Sequence, residues 1–337
     1  MTPLARDLAR IARWAPASDA AGALQPAQRA VLERRGWLRL YLPAGTGGPQ
    51  MALPEALPLL EAIAAADGSC GWMTTLCAGA SWFAGFLPGT LALSLAATPR
   101  LCLAGSGAPL GRAEPDAGGW RVAGAWPFAS GAPWATHFTL NAVLPGGAVR
   151  AFVVPAEAVQ RTSPWKAMGL RASGTQGFLI EGAWVPASHA FEIRPEAATQ
   201  PGALYRFPFE AFAYVTLAAT LSGMARHFTA LALPLAVARV PGLAWPQALV
   251  QAMDAARRAC LDEVGRAWAA LEAGAAVDAQ QAQQLRLQAL AWVEACRDAV
   301  DRLYPLCGLR AADPAEALHR AWRDFHTGSQ HSLLLPA

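Results

Sequence analysis

Ser130 and His331 are the residues of this chain whose type and setting best suit chemistry. Ser130 stands near the end of Trp126-Pro127-Phe128-Ala129-Ser130-Gly131, and His331 closes Arg323-Asp324-Phe325-His326-Thr327-Gly328-Ser329-Gln330-His331. A serine followed by glycine at a strand end lets hydroxyl and backbone approach a bound group without a side-chain clash. An imidazole titrates near neutrality and can take or hold a proton. Ser106, in Ala104-Gly105-Ser106-Gly107, and Ser173 and Thr175, in Ala172-Ser173-Gly174-Thr175, are further hydroxyls in glycine-bearing turns. Each of these serines, taken alone, reads as a turn former. His326 lies five residues before His331 and does not share its helix face. The histidines are dispersed, with no helical His-x-x-x-His and no carboxylate partner, so no metal site is expected. A nucleophilic Gly-x-Ser-x-Gly is absent as well.

Three regions must position these groups. Residues 1–97 read as helical. Pro26–Arg35 ends at Gly36, a helix stop, residues 54–66 form a second helix, and a long apolar helix covers 70–87. Asp67 or Ser69 can cap that helix by accepting its free N–H groups, and Trp72 near its start can point into a pocket. Across 98–195 the period changes to two. Strands are predicted at 121–124, 136–143, 149–154, 178–181 and 183–186, separated by turns at Gly118-Gly119, Gly131-Ala132-Pro133 and Pro145-Gly146-Gly147. That spacing predicts an antiparallel barrel or sandwich. Residues 196–337 are helical again, at about 208–232, from Pro246 to beyond Leu271, over 277–304 and over 314–330, which predicts a four-helix bundle. Pro234 and Pro241-Gly242 are expected to interrupt the first of these.

Composition narrows the function. The chain has 337 residues, 54% hydrophobic and 15% charged, so more surface than usual must be hidden; a homodimer or homotetramer is the simplest sink. A net charge of +3 with scattered arginines argues against a nucleic-acid groove. No stretch reads as a membrane span, and the amino terminus lacks the apolar core of a secretory signal. Six cysteines without a Cys-x-x-Cys pair suit reduced thiols in the cytoplasm.

The order helices, strands, helical bundle resembles the acyl-CoA dehydrogenase superfamily, and the local segments are similar to its flavin-dependent, two-component monooxygenase branch. Ala66-Asp67-Gly68-Ser69-Cys70-Gly71-Trp72, the strand and turn from Gly118 to Gly131, Trp165-Lys166-Ala167-Met168-Gly169-Leu170-Arg171-Ala172-Ser173-Gly174-Thr175, Val185-Pro186 and the His331 segment carry the likeness. The resemblance implies an α+β chain with an amino-terminal helical domain, a central antiparallel β-barrel and a carboxyl-terminal four-helix bundle. It implies FAD or FMN as cofactor, reduced flavin being supplied by a separate reductase. Ser130 is then expected at the N5–O4 edge of the ring, Trp165 as a wall, Ser173 or Thr175 against ring or phosphates, and Ser106 near the pocket. His331 is expected over the ring as the catalytic imidazole. Arg323 and Asp324 are expected to pair with each other and anchor their helix.

Departures limit what the resemblance implies. The dehydrogenase branch uses a glutamate base, and Gln330-His331-Ser332-Leu333-Leu334-Leu335 carries none. Arg239, Trp245 and Tyr304-Pro305-Leu306-Cys307-Gly308 match the dinucleotide-binding segments of relatives imperfectly. The expected function is a monooxygenase that hydroxylates or N-oxidises a small, aromatic substrate with reduced flavin and O2. The alternatives are a dehydrogenase or oxidase on the same scaffold, and a non-catalytic relative with weakened flavin binding.

Overall fold

The computed structural model describes residues 1–242 and 244–334, and for Ser163 the backbone alone. Five helices come first: α1 (Pro3–Ala21), α2 (Pro26–Arg35), α3 (Leu53–Ala66), α4 (Gly68–Trp82) and α5 (Gly89–Ala97). Proline in the first turn and left-handed Gly36 (φ 65°) bound α2, as its sequence predicts. Asp67 caps α4, its Oδ1 accepting the Cys70 N–H at 2.7 Å. Ser69 does something else: its hydroxyl accepts the Ala172 N–H at 3.2 Å and ties the helix start to a distant loop. The predicted helix over 70–87 stops at Trp82 and tightens into a 3-10 turn, Phe83–Phe86. Gly85 lies flat against the Tyr205 ring there, leaving no room for a side chain.

Seven strands follow: β1 (Leu103–Asp116), β2 (Gly119–Ala129), β3 (His137–Val143), β4 (Val149–Pro155), β5 (Gln160–Pro164), β6 (Gln176–Pro186) and β7 (Ala190–Phe191). They form one sheet in the order β5-β6-β2-β1-β3-β4-β7. The sequence predicts an antiparallel barrel; the hydrogen-bonded ladder has β5 and β7 as edges, and β1 runs parallel to β3. After β2, left-handed Gly131 and a 3-10 turn at Ala132–Trp134 swing the chain to the other side of β1. A strand laid there antiparallel to β2 runs along β1. The segments 178–181 and 183–186 are one strand, not two, with left-handed Gly182 (φ 79°) as a bulge opposite β2. β1 carries Gly105, Gly107, Pro109, Gly111 and Pro115, which hide its alternation. Trp126 stacks on Phe178 at 5.2 Å, and Phe138 meets Phe178 at 4.8 Å, in the core of this sheet.

The chain then returns to helices: α6 (Ala203–Arg206), α7 (Phe209–Arg239), α8 (Trp245–Glu272), α9 (Ala279–Leu303) and α10 (Ala317–Gly328). The predicted interruption at Pro234 does not occur; α7 continues through it to Arg239. One lost backbone hydrogen bond is tolerated because α7 packs on α3, α9 and α10 along its length. This helix is long and apolar enough to cross a membrane. Its buried face, including Phe212, Val215, Leu221 and Phe228, makes it a core helix. Gly223 of α7 admits the backbone of α3: a Cβ there would sit 2.8 Å from that of Ala64. A single hydrophobic core therefore runs through the early and the late helices, from Ile11 to Leu334.

Candidate functional site

A cavity of about 570 Å³ opens at one end of the sheet, within the size range of small-molecule sites. The end of β2 supplies Trp126, Pro127 and Phe128; β5 and the loop after it supply Thr162, Pro164, Trp165 and Lys166; Thr175, Gln176 and Gly177 close it at the start of β6. The register between β2 and β6 shifts between Trp126 and Ala129. Within that irregularity Phe128 adopts φ 63°, an unfavourable conformation for an aromatic residue. It throws the ring outward, 68% exposed. Trp165 meets Phe128 edge to face at 6.0 Å and is held by its Nε1–H donating to the Gly169 carbonyl at 3.2 Å. Lys166, exposed at the mouth, is the only lysine in the chain.

Behind Thr175 lies a chain of buried hydroxyls. The Thr175 and Ser130 oxygens are 2.8 Å apart, as are those of Thr175 and Ser173. The Trp72 Nε1–H donates to Ser130 Oγ at 3.1 Å. Two backbone bonds clamp the turns together: Gly131 N–H to the Ser173 carbonyl at 3.0 Å and Ala132 N–H to the Gly174 carbonyl at 3.1 Å. Of the residues singled out in the sequence, Thr175 and Trp165 line the cavity, and Ser130 and Ser173 stand directly behind Thr175. Ser106 is apart from them, on β1 opposite Leu140, and is not among the residues lining the cavity.

His331 follows the end of α10 and does not line the cavity. Its ring packs edge to face on Trp72 at 6.0 Å, so it reaches the hydroxyl chain through the indole. Burial holds its pKa below the usual imidazole value, which keeps it neutral at neutral pH. The Leu333 N–H donates to Nδ1 at 3.3 Å; the ring proton therefore sits on Nε2, and His331 presents a donor there. His326 lies elsewhere, its Nε2 3.0 Å from Asp301.

The expected Arg323–Asp324 pair does not form, because each finds a separate partner on another element. Arg323 donates to Asp19 Oδ2 at 2.7 Å and to the Met168 carbonyl. Asp324 Oδ1 accepts the Leu170 N–H at 2.6 Å, and Thr327 Oγ1 accepts the Gly169 N–H at 3.0 Å. Helix α10 thus clamps the loop that runs from Trp165 to Thr175. Burial, and then the neighbouring Asp67 carboxylate, push the Asp324 pKa up to about 7. The two segments matched to a dinucleotide site also meet: a Cβ on Gly308 would lie 2.7 Å from an Arg239 guanidinium nitrogen. Arg302 covers Trp245 at 5.0 Å.

Sequence reasoning missed Phe128 and Lys166. A positive φ at phenylalanine leaves no trace in residue type. The solitary lysine among arginines was a readable signal.

A family model described as acyl-CoA dehydrogenase, C-terminal domain, matches residues 248–336. The oxygenase subunit HsaA of a flavin-dependent monooxygenase from Rhodococcus jostii (strain RHA1) is 25% identical over 330 residues, covering 89% of this chain and 85% of its own. A pigment production hydroxylase from Rhodococcus erythropolis is 25% identical over 334 residues, 89% and 84% of the two chains. Among solved structures, 3-HSA hydroxylase from Rhodococcus sp. RHA1 superposes with a TM-score of 0.91 at 22% identity, over 99% of this chain and 92% of that one. XiaF from Streptomyces sp., in complex with FADH2 and glycerol, gives 0.85 at 21%, over 98% and 92%. The fold is that of the acyl-CoA dehydrogenases. In sequence the chain is similar along 89% of its length to flavin-dependent monooxygenase components, and its last quarter matches the acyl-CoA dehydrogenase family model.

Proposed function

We propose that the protein is the oxygenase component of a two-component flavin-dependent monooxygenase, which takes reduced FAD or FMN from a separate reductase and hydroxylates a small aromatic substrate. The relatives named above support this reading, as does the FADH(2)-dependent resorcinol hydroxylase, oxygenase component, of Rhizobium sp. (strain MTP-10005), 29% identical over 176 residues, 50% of this chain and 43% of that protein. The observation that carries it is the cavity itself: aromatic walls, hydroxyls and one ammonium, with no carboxylate among its lining residues. An isoalloxazine ring asks for an apolar face and hydrogen bonds at its edge, and the residues present fit. Trp165 and Phe128 supply the walls, Thr175 the hydrogen bond, and Lys166 a counter-charge for a phosphate. Ser130 and Ser173 hold Thr175 in place. His331, neutral and bearing its proton on Nε2, is a donor that the Trp72 contact orients.

When bound, reduced flavin supplies two electrons, so that one oxygen atom of O2 enters the substrate and the other leaves as water. The chain's part is to bind, to exclude bulk water and to place donors. The division into helical residues 1–97, a strand region 98–195 and a terminal bundle 196–337 belongs to the same reading. It is supported by the change to strands after α5 and back to helices after β7. A cytoplasmic homo-oligomer fits the six buried free thiols and the exposed Leu287 and Leu309.

Titrating the protein with FMN and FAD, then supplying reduced flavin, O2 and a panel of phenols, tests the proposal. Bound flavin and a product one oxygen atom heavier are expected. Protein that binds neither flavin and leaves reduced flavin to autoxidise freely would refute it. Lys166→Met is expected to weaken FMN binding roughly 3- to 10-fold, as loss of one partly exposed charge contact, with riboflavin binding unchanged; fluorescence titration of both ligands checks this.

A further inference from the structure

We infer that Trp72 is a positioning residue whose indole N–H sets the direction of the buried hydroxyl chain, so that Thr175 donates its proton into the cavity. The inference rests on reading the cavity as a flavin site, and deepens it by assigning which hydroxyl faces the ligand and what orients it.

The assignment follows from counting protons. An indole N–H can only donate, so Ser130 Oγ accepts from Trp72. Three hydroxyls carry three protons, and the links from Thr175 to Ser130 and to Ser173 use two of them. Ser173 is fully buried, and Thr175 Oγ1 is its only side-chain partner among the described residues. If Ser173 accepted from Thr175, its own proton would be buried without an acceptor, which costs more than a made hydrogen bond returns. Ser173 is therefore the donor in that link. Ser130 is 3% exposed and already accepts the indole proton. Accepting from Thr175 as well would strand its own proton in the same way, so Ser130 also donates to Thr175. Thr175 Oγ1 then accepts twice, filling its two lone pairs, and the remaining proton is its own. Thr175 is as buried as Ser130, but of the three residues it alone lines the cavity, so an occupant can take that proton: a ring carbonyl oxygen in either redox state, or N5 of the oxidised ring.

The indole is fixed from both ends. Its N–H meets Ser130, while its six-membered ring lies against Gly328 of α10, where a Cβ would come within 3.1 Å. His331 packs on the same side chain. The strand turn at Ser130 and the end of α10 are thus registered on one residue, itself only 8% exposed.

Replacing Trp72 with phenylalanine removes the N–H and opens space for a water acceptor, so Ser130 can turn and Thr175 can donate inward. The test is a double-mutant cycle read in the affinity and visible band of bound oxidised FMN. Thr175→Val is expected to weaken FMN binding about 5- to 10-fold, the worth of one hydrogen bond, and to shift the band. Thr175→Ser should restore both. Trp72→Phe is expected to move both in the same direction by several-fold, and to add nothing in a Thr175→Val background. An effect of Trp72→Phe that persists undiminished in that background means the indole acts through cavity shape, and overturns the inference. Should Trp72→Phe not fold, Ser173→Ala decides: it is expected to leave FMN affinity within about 2-fold of wild type, because Ser173 only donates. A gain of about 5-fold or more would show that Thr175 had been spending its proton on Ser173, and overturns the inference too. Wild-type protein that binds no flavin instead overturns the proposed function itself.

Discussion

Asp324→Asn is expected to remove a loss of stability that the wild-type protein undergoes as pH rises from about 4 to about 7. The folded-state pKa of Asp324 is raised to about 7 from an ordinary 3.8, first by burial and then by Asp67. The folded state therefore binds a proton that the unfolded state has already released over that interval. The contribution of Asp324 to stability is full below about pH 4, falls as pH rises, and is lost above about pH 7. A rise of that size corresponds to about 4 kcal/mol at most, reduced by whatever relaxation the site allows. Asparagine keeps the acceptor for the Leu170 N–H and carries no charge to bury. Its amide can also donate towards Asp67. Other titratable groups around the site are Asp19, Arg320, Arg323 and His227, whose Nδ1 faces the Ala65 carbonyl. Urea midpoints at pH 4.5 and pH 8 should differ by more in wild type than in the variant, which should be the more stable at pH 8; Asp67, whose pKa burial also raises, supplies the slope that remains. Parallel pH profiles of the two proteins would show that Asp324 is not the titrating group. Because Asp324 holds the loop between Trp165 and Thr175, the same measurement made with FMN present reports whether that loop feels the charge.

Gly174→Ala should cost about 3 kcal/mol of stability and more than tenfold in FMN affinity. Gly174 has φ 64°, where an L-residue pays about 1–2 kcal/mol. A Cβ there would also sit 2.5 Å from the Trp134 ring and 3.1 Å from Pro133. That ring cannot swing away freely, since the Arg29 guanidinium covers it at 5.3 Å. The chain must shift instead, and it is the chain that carries Ser173 on one side and Thr175 on the other. Gly147→Ala is the control: its φ is 90°, but nothing lies within 4 Å of the added carbon. It should show the backbone strain alone, with flavin binding unchanged. Thermal midpoints and FMN titrations of the two variants separate the effects. Equal losses in both would mean that the Trp134 contact contributes nothing.

Much of the lining of the candidate cavity was legible in the sequence. Trp165 and Thr175 line the cavity, and Ser130 and Ser173 stand behind it, all close to glycines that mark where the backbone bends sharply. Three features were not legible. Arg323 and Asp324 are adjacent in sequence and opposite in charge, yet on a helix neighbours point apart, and each side chain meets whatever element packs on its own side. Phe128 looks like an ordinary strand residue; its outward turn comes from a register shift against β6, which only the pairing partner imposes. Ser130 is expected from the sequence at the N5–O4 edge of a flavin ring; its bonds to Trp72 and Thr175 are contacts that no local pattern announces.

What the sequence determined by itself was local: where helices start and stop, as at Pro26 and Gly36, where period two replaces period 3.6, and which turns hold hydroxyls. Those properties depend on a few successive residues and their backbone preferences. The tertiary structure alone decided that β1 runs along β3, that α10 grips the Trp165–Thr175 loop, and which way the hydroxyl protons point. Each of these is a contact between residues far apart in the chain, and such a contact exists only once burial of the shared core has brought its elements together.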